Sequence, residues 1–121
     1  EFRYLMFRYE EHLARMDCQK FNNEQWNRIW EATAAESIEH ILPQSIGDEE
    51  IVHTLGNVLI LPPRLNSKLG SLSPRQKAEK YTKTGLLVAR EVVPYLPDWT
   101  GALIAERGRR ILEWASHEWG D

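Results

Sequence analysis

The sequence lacks the residues of a disulfide-stabilised or membrane-spanning protein. Its single cysteine, Cys18, excludes an internal disulfide and any zinc site built from several cysteines. We expect Cys18 to be a small buried side chain in a protein of a reducing compartment. No apolar run approaches the roughly 20 residues that a transmembrane helix needs, and charges interrupt the N-terminal apolar pattern, unlike a signal peptide. We therefore predict a cytoplasmic protein with no membrane partner.

Basic residues are outnumbered overall, giving a net charge of −3, yet they are concentrated in one segment. Residues 1–62 carry five Lys and Arg against eleven Asp and Glu, whereas residues 63–91 carry seven against two. This arrangement suits chemistry on a phosphate backbone, because Lys and Arg neutralise phosphates while carboxylates bind a metal ion. A solvated helical face is the other explanation of such a pattern and stays open at this point.

Aliphatic and aromatic residues, by contrast, are plentiful. Hydrophobic residues form 42% of the 121 positions, and the five tryptophans fall at helical spacings, so we expect them in a core. This length fits one domain. We predict a single domain over residues 1–121, cut from a longer protein because the chain starts within a helical pattern.

Apolar residues recur at spacings of three and four along most of the chain, which predicts helices. The predicted helices cover residues 2–16, 23–34, 63–70, 74–84 and 99–119. Asn22 or Asn23, Ser73 and Asp98 are suited to cap the second, fourth and fifth of them. Leu112 is among the residues that we expect on the buried face of the last helix.

Two short segments have the composition of strands instead. Residues 37–42, SIEHIL, are apolar around a charged centre, and residues 58–61 form a β-type run that Pro62 ends. A polar loop of about fifteen residues joins them. We predict an α+β fold, mostly α-helical, in which this two-stranded unit is flanked by helices.

Four polar residues lie at the joints of this unit: Glu39, His40, Asn57 and Asn66. A neutral histidine can take a proton from water near pH 7. A carboxylate is a hard ligand suited to magnesium or manganese, and Asn66 can add a carbonyl oxygen. Asn57, at the turn into the second strand, is suited to hold the His40 ring by a hydrogen bond.

Adjacent residues of a regular strand point to opposite faces. Glu39 and His40 can therefore serve one phosphate only if the backbone turns at this point. Pro43 and the polar loop after it favour such a turn.

Three motifs occur in order along the chain: IEHILPQ, LGNVLIL and RLNSKLGS. They are followed by the motif KAEKY and by a terminal helix with the sequence ALIAERGRRILEWA. Together these motifs resemble those of the HNH nucleases. The resemblance is closest to the C-terminal HNH domain of GmrSD-type modification-dependent restriction endonucleases, and it covers most of the chain. It implies a two-stranded ββα-metal core at about residues 37–70. It also implies an upstream nucleotide-hydrolysing, modification-sensing domain in the same protein and a role in antiphage defence.

Carried over by residue, the resemblance makes His40 the general base and Asn57 the residue that orients it. Glu39 and Asn66 become ligands of Mg²⁺, or of Mn²⁺ or a similar ion. The implied reaction is hydrolysis of DNA phosphodiester bonds, with contacts mainly to the phosphate backbone. The residues proposed to make these contacts are Arg64, Lys68, Arg75, Lys77, Lys80 and Lys83.

The sequence allows more than one role for several other polar residues. His53 lies in the loop, where packing of the hairpin competes with a role at the phosphate. Arg107, Arg109 and Arg110 suit ion pairs with Glu106 or Glu113, or else contact with DNA. At the level of the whole chain, a catalytically inactive module that binds DNA or docks to a protein is the alternative to an endonuclease. The sequence leaves the oligomeric state open.

Overall fold

The computed structural model describes residues 2–43, 54–69 and 72–119, and the side chains at 34 and 66–68 lie outside this description. Helices dominate. In chain order they are α1 (Phe2–Met16), α2 (Asn23–Glu31), α3 (Ala34–Ser37), α4 (Pro63–Leu69), α5 (Pro74–Lys83), α6 (Leu87–Arg90) and α7 (Gly101–Trp119). Two 3₁₀ turns, Leu55–Asn57 and Val93–Asp98, and one two-stranded sheet complete the described part. The prediction of an α+β, mostly helical fold is confirmed.

The sheet pairs β1 (Ile38–His40) with β2 (Val58–Ile60) in antiparallel orientation. Both strands are shorter than predicted, because Ser37 belongs to α3 and the chain bends after His40. All three residues of β2 are buried. β2 therefore lies within the core, whereas in β1 only Glu39 is buried and its two neighbours, Ile38 and His40, are partly exposed.

Capping residues decide where several helices begin. The Asn22 side chain accepts a hydrogen bond from the Gln25 N–H, and Ser73 forms a reciprocal pair of bonds with Gln76, as predicted for both helix starts. Thr33 does the same with Glu36 at the start of α3, so the predicted helix 23–34 ends early, at Glu31, and a separate helix begins at Ala34. The last helix begins at Gly101, after a 3₁₀ turn that includes Asp98, so Asp98 is not its cap.

The core is formed by the sheet and the inner faces of α1, α2, α5, α6 and α7. Trp26 and Trp99 are buried as expected, whereas Trp30 and Trp119 are exposed. Leu112 is 60% exposed, so the prediction for this residue was wrong. Cys18, also predicted to be buried, is exposed at the end of α1 and has a positive φ of 54°.

None of the described helices is long and apolar enough to cross a membrane.

Candidate functional site

β1 stays regular through the two ionisable residues that the sequence singled out. Glu39 pairs with Leu59 and His40 with Val58 in the antiparallel register. Their side chains therefore point to opposite faces of the sheet. The bend comes one step later, at residues 41–42, so the expected turn exists but does not bring the two side chains to one face.

The Glu39 side chain is buried against α5, with only 3% of the residue exposed. Its Oε2 atom accepts a hydrogen bond from the Tyr81 hydroxyl at 2.5 Å and lies 2.9 Å from the Lys77 ammonium. Burial raises the pKa of the Glu39 carboxyl and lowers that of Lys77, and the attraction between the two charges opposes both shifts. Burial and the neighbouring carboxylate both raise the pKa of Tyr81. We call these three residues the Glu39 cluster.

Lys77 lies elsewhere than predicted. It is 0% exposed, and besides Glu39 its ammonium donates to the backbone carbonyl of His40 at 2.5 Å. A fully buried ammonium has no face open to a DNA phosphate. The interpretation of Lys77 as a phosphate contact is therefore corrected: in this structure it binds β1.

His40 is only partly buried, and its side chain points to the other face of the sheet. Its backbone is fixed on both sides, since Lys77 binds its carbonyl and the next N–H, that of Ile41, donates to the Asn57 carbonyl at 2.8 Å. The residue thus has a defined backbone position and is only partly buried.

Asn57 is fully buried and fastens the chain just beyond His40. Its Oδ1 atom accepts from the Leu42 N–H at 2.8 Å and from the Trp99 indole N–H at 3.0 Å. Its Nδ2 atom donates to the Leu42 carbonyl at 3.0 Å. These bonds orient the backbone that follows His40. Whether Asn57 also orients the ring stays a prediction.

Arg107 holds the other side of the same turn. It is buried in α7 and donates to the carbonyls of Gly56 and Val58 at 3.0 and 2.8 Å. Its Nε atom lies 3.6 Å from a carboxylate oxygen of Glu91. Neither sequence reading of Arg107 was right, because it binds neither Glu106 nor Glu113 and is not at the surface.

The ion pairs expected of Arg109 are present: it pairs with Glu106, at 2.7 Å, and with Glu113. Arg110 is exposed.

The predicted metal ligands do not come together as a site here. Glu39 already binds two donors through Oε2, so a divalent ion at that atom would have to displace Lys77. Asn66 lies in α4, but its side chain is outside the described part, as is the whole of His53. Among described residues, no three His, Cys, Asp or Glu side chains lie close enough together to hold a metal ion. Glu39, bonded as it is, does not fit Mg²⁺.

Some of the predicted DNA contacts do share a surface. Arg64, from α4, and Lys83, from the end of α5, line one cleft of about 490 Å³ together with Arg28 of α2. Gln25, Pro62 and Leu65 also line this basic cleft.

Two cations of the basic cleft, Arg28 and Lys83, have weakly bound carboxylate partners. Arg28 pairs with Glu24 and Lys83 with Glu79, each at 3.0 Å and each exposed to solvent. Exposed pairs of this kind contribute little, so a phosphate can replace the carboxylates. Arg75 and Lys80 are exposed on α5 and do not line this cleft, whereas the side chain of Lys68 lies outside the described part.

The sequence did not single out Tyr81 as a site residue, nor Trp99 or Arg28. The tyrosine had a signal, the KAEKY motif, in which Lys77 and Tyr81 stand four apart on one helical face. Trp99 and Arg28 had none, because their roles depend on contacts with residues far away in the chain.

The comparisons with known proteins add one match. A family model described as the C-terminal domain of GmrSD restriction endonucleases matches residues 1–114. Neither the curated proteins nor the solved structures gave a match.

Proposed function

Because the chain belongs to the family of C-terminal domains of GmrSD restriction endonucleases, we propose that it cleaves DNA with His40 as the general base. The family relates the chain to a nuclease domain of a restriction enzyme, and the substrate of such a domain is DNA. The observation that carries the proposal is the position of His40. Its backbone is bonded on both sides, while the residue is only partly buried and its side chain points away from Glu39.

In the proposed reaction, His40 takes a proton from a water molecule as the water oxygen attacks phosphorus. The new bond forms between that oxygen and phosphorus, and the bond to the 3′ oxygen breaks. The leaving oxygen takes a proton from solvent. The products carry a 5′-phosphate and a 3′-hydroxyl.

Dependence on Mg²⁺ or Mn²⁺ is a separate proposal, supported by the resemblance to HNH nucleases. In the structure, Glu39 is bonded to Lys77 and Tyr81 in a form that does not fit the ion. Asn66 remains the proposed ligand from α4.

DNA is proposed to bind across the basic cleft. Arg64 and Lys83 line it, and the exposed Arg75 and Lys80 extend the basic surface along α5. Contacts of this type are made to phosphates and carry little sequence information. We assign two further roles to an upstream domain of a larger cytoplasmic protein. These are the recognition of a modified base and the nucleotide hydrolysis that the resemblance implies.

Nicking of a supercoiled plasmid tests the proposal. We expect His40→Ala to lower the rate at least about a hundredfold. His117→Ala, at an exposed histidine of α7, is the matched control and should keep the wild-type rate. Equal rates for wild type and His40→Ala would overturn the assignment, and wild-type binding without cleavage would favour the inactive module. Adding a chelator tests the metal requirement separately.

A further inference from the structure

The Glu39 cluster is a buried group of polar side chains next to His40. Glu39, Lys77 and Tyr81 are 3%, 0% and 0% exposed. The three side chains satisfy one another, with Oε2 of Glu39 as the common acceptor. The cation that neutralises this carboxylate is therefore the ammonium of Lys77, an internal group of the protein.

Lys77 also connects two consecutive residues of β1. The same Nζ atom contacts the side chain of Glu39 and the backbone carbonyl of His40. Lys77 and Tyr81 lie one turn apart on α5, which is the spacing at which two side chains share a helical face. A movement of α5 is thereby transmitted to the backbone of His40.

We propose that Glu39 is not a metal ligand but the anchor of β1 on α5, and that Lys77 and Tyr81 are positioning residues for His40. This inference rests on the proposed role of His40 as general base. Misplacing a catalytic group by about 1 Å can cost roughly a hundredfold in rate. The Glu39 cluster prevents such a displacement by binding the His40 backbone from the face opposite the ring.

Three variants test the inference. Glu39→Gln or Lys77→Met leaves the opposite charge buried without a partner, which destabilises a fold strongly. We expect each to lower the melting temperature by on the order of 10 °C. The double variant, Glu39→Gln with Lys77→Met, buries no charge and should recover at least half of that loss.

Tyr81→Phe keeps the ring and removes one hydrogen bond, so it should fold. We expect its kcat for plasmid nicking to fall roughly tenfold with KM unchanged, and that of Lys77→Met to fall roughly a hundredfold. The NMR signals of the His40 imidazole should shift in both variants. Tyr95→Phe and Lys20→Met, at exposed positions, are the controls and should change neither quantity.

A metal ligand and an anchor behave differently in the double variant. As an anchor, Glu39 has no further role once Lys77 is replaced, so the double variant should keep at least the kcat of Lys77→Met, roughly a hundredth of that of the wild type. As a metal ligand, Glu39 cannot be replaced, so a double variant that is stable yet inactive overturns the proposal. Wild-type activity and unmoved His40 signals in Lys77→Met overturn it as well.

The two proposals fail in distinguishable ways. If the wild type does not cleave DNA, the proposed function fails. The imidazole signals still decide the anchor: signals that move in Tyr81→Phe and Lys77→Met support it, and signals that do not move reject it.

Discussion

Glu10 illustrates how one buried side chain can order a distant segment. It lies in α1 with 1% of the residue exposed and accepts hydrogen bonds from the N–H groups of Leu87 and Val88, both at 2.8 Å. These groups begin α6, where N–H groups have no partner within the helix. Burial outweighs the two bonds and raises the pKa of Glu10 from 4.5 to about 6.

This raised pKa predicts that Glu10 makes the protein less stable as the pH rises. The folded state holds the proton more tightly than the unfolded state, so the contribution is fully present below pH 4.5 and is lost as the pH rises through about 6. Relative to Glu10→Gln, the wild type should lose on the order of 2 kcal/mol of unfolding free energy across that interval. Urea unfolding over the pH range measures this.

Glu31→Gln, at an exposed position, is the control for the loss of one charge. A wild type that gains stability relative to Glu10→Gln as the pH rises, or that shows no change relative to it, contradicts the prediction.

The sequence singled out residues by their local motifs and missed the contacts that join distant parts of the chain. His40 and Asn57 were recognised from motifs, and the structure places both at the ends of the strands. Lys77 was read as a surface cation, because a lysine in a basic segment is almost always exposed. Its burial depends on Glu39, which lies 38 positions earlier in the chain, and no local pattern encodes that contact.

At the scale of elements, the turn that carries Asn57 is packed directly against α7. A Cβ atom at Gly56 would lie 1.7 Å from the carbonyl oxygen of Ile104 and 2.9 Å from the backbone nitrogen of Gly108. Both neighbours are backbone atoms, which cannot move without shifting the helix. Arg107, one residue before Gly108, binds the Gly56 carbonyl in the same contact. This contact sets the distance between β2 and α7.

Gly56→Ala should therefore be severely destabilising. We expect a loss of about 3 kcal/mol or more, because the new methyl group must push two backbone segments apart. Gly108→Ala is the matched control: its Cβ would come no closer than 3.2 Å, to Gly56 N, and alanine favours a helix by about 1 kcal/mol. Chemical unfolding of both variants checks the order, and equal losses would contradict it.

The type of most elements was predictable, whereas their boundaries depended on particular caps. Ser73 followed by proline predicts the start of α5 from the sequence alone. The break between α2 and α3 depends on the hydrogen bonds between Thr33 and Glu36. These two residues lie in an alanine-rich stretch whose composition also favours one continuous helix. The last helix starts late because the chain first forms a 3₁₀ turn through Pro97.

At the scale of the whole molecule, the fold changes how the charges are grouped. The sequence separates an acidic first part from a basic segment, but the basic cleft combines Arg28 from the former with Arg64 and Lys83 from the latter. Three elements thus contribute one cation each to a single concave surface. Such a surface binds a phosphate backbone mainly by releasing counterions, so its affinity depends steeply on salt.

Removing two of these cations should weaken DNA binding uniformly across sequences. For Arg64→Gln with Lys83→Gln, we expect the slope of log affinity against log salt to become shallower by about 2, roughly one per lost phosphate contact. Fluorescence anisotropy with short duplexes of unrelated sequence, measured over a salt series, gives that slope. Arg15→Gln with Lys20→Gln removes the same charge from exposed positions outside the basic cleft. An equal change of slope in this control would mean that net charge, and not the basic cleft, determines binding.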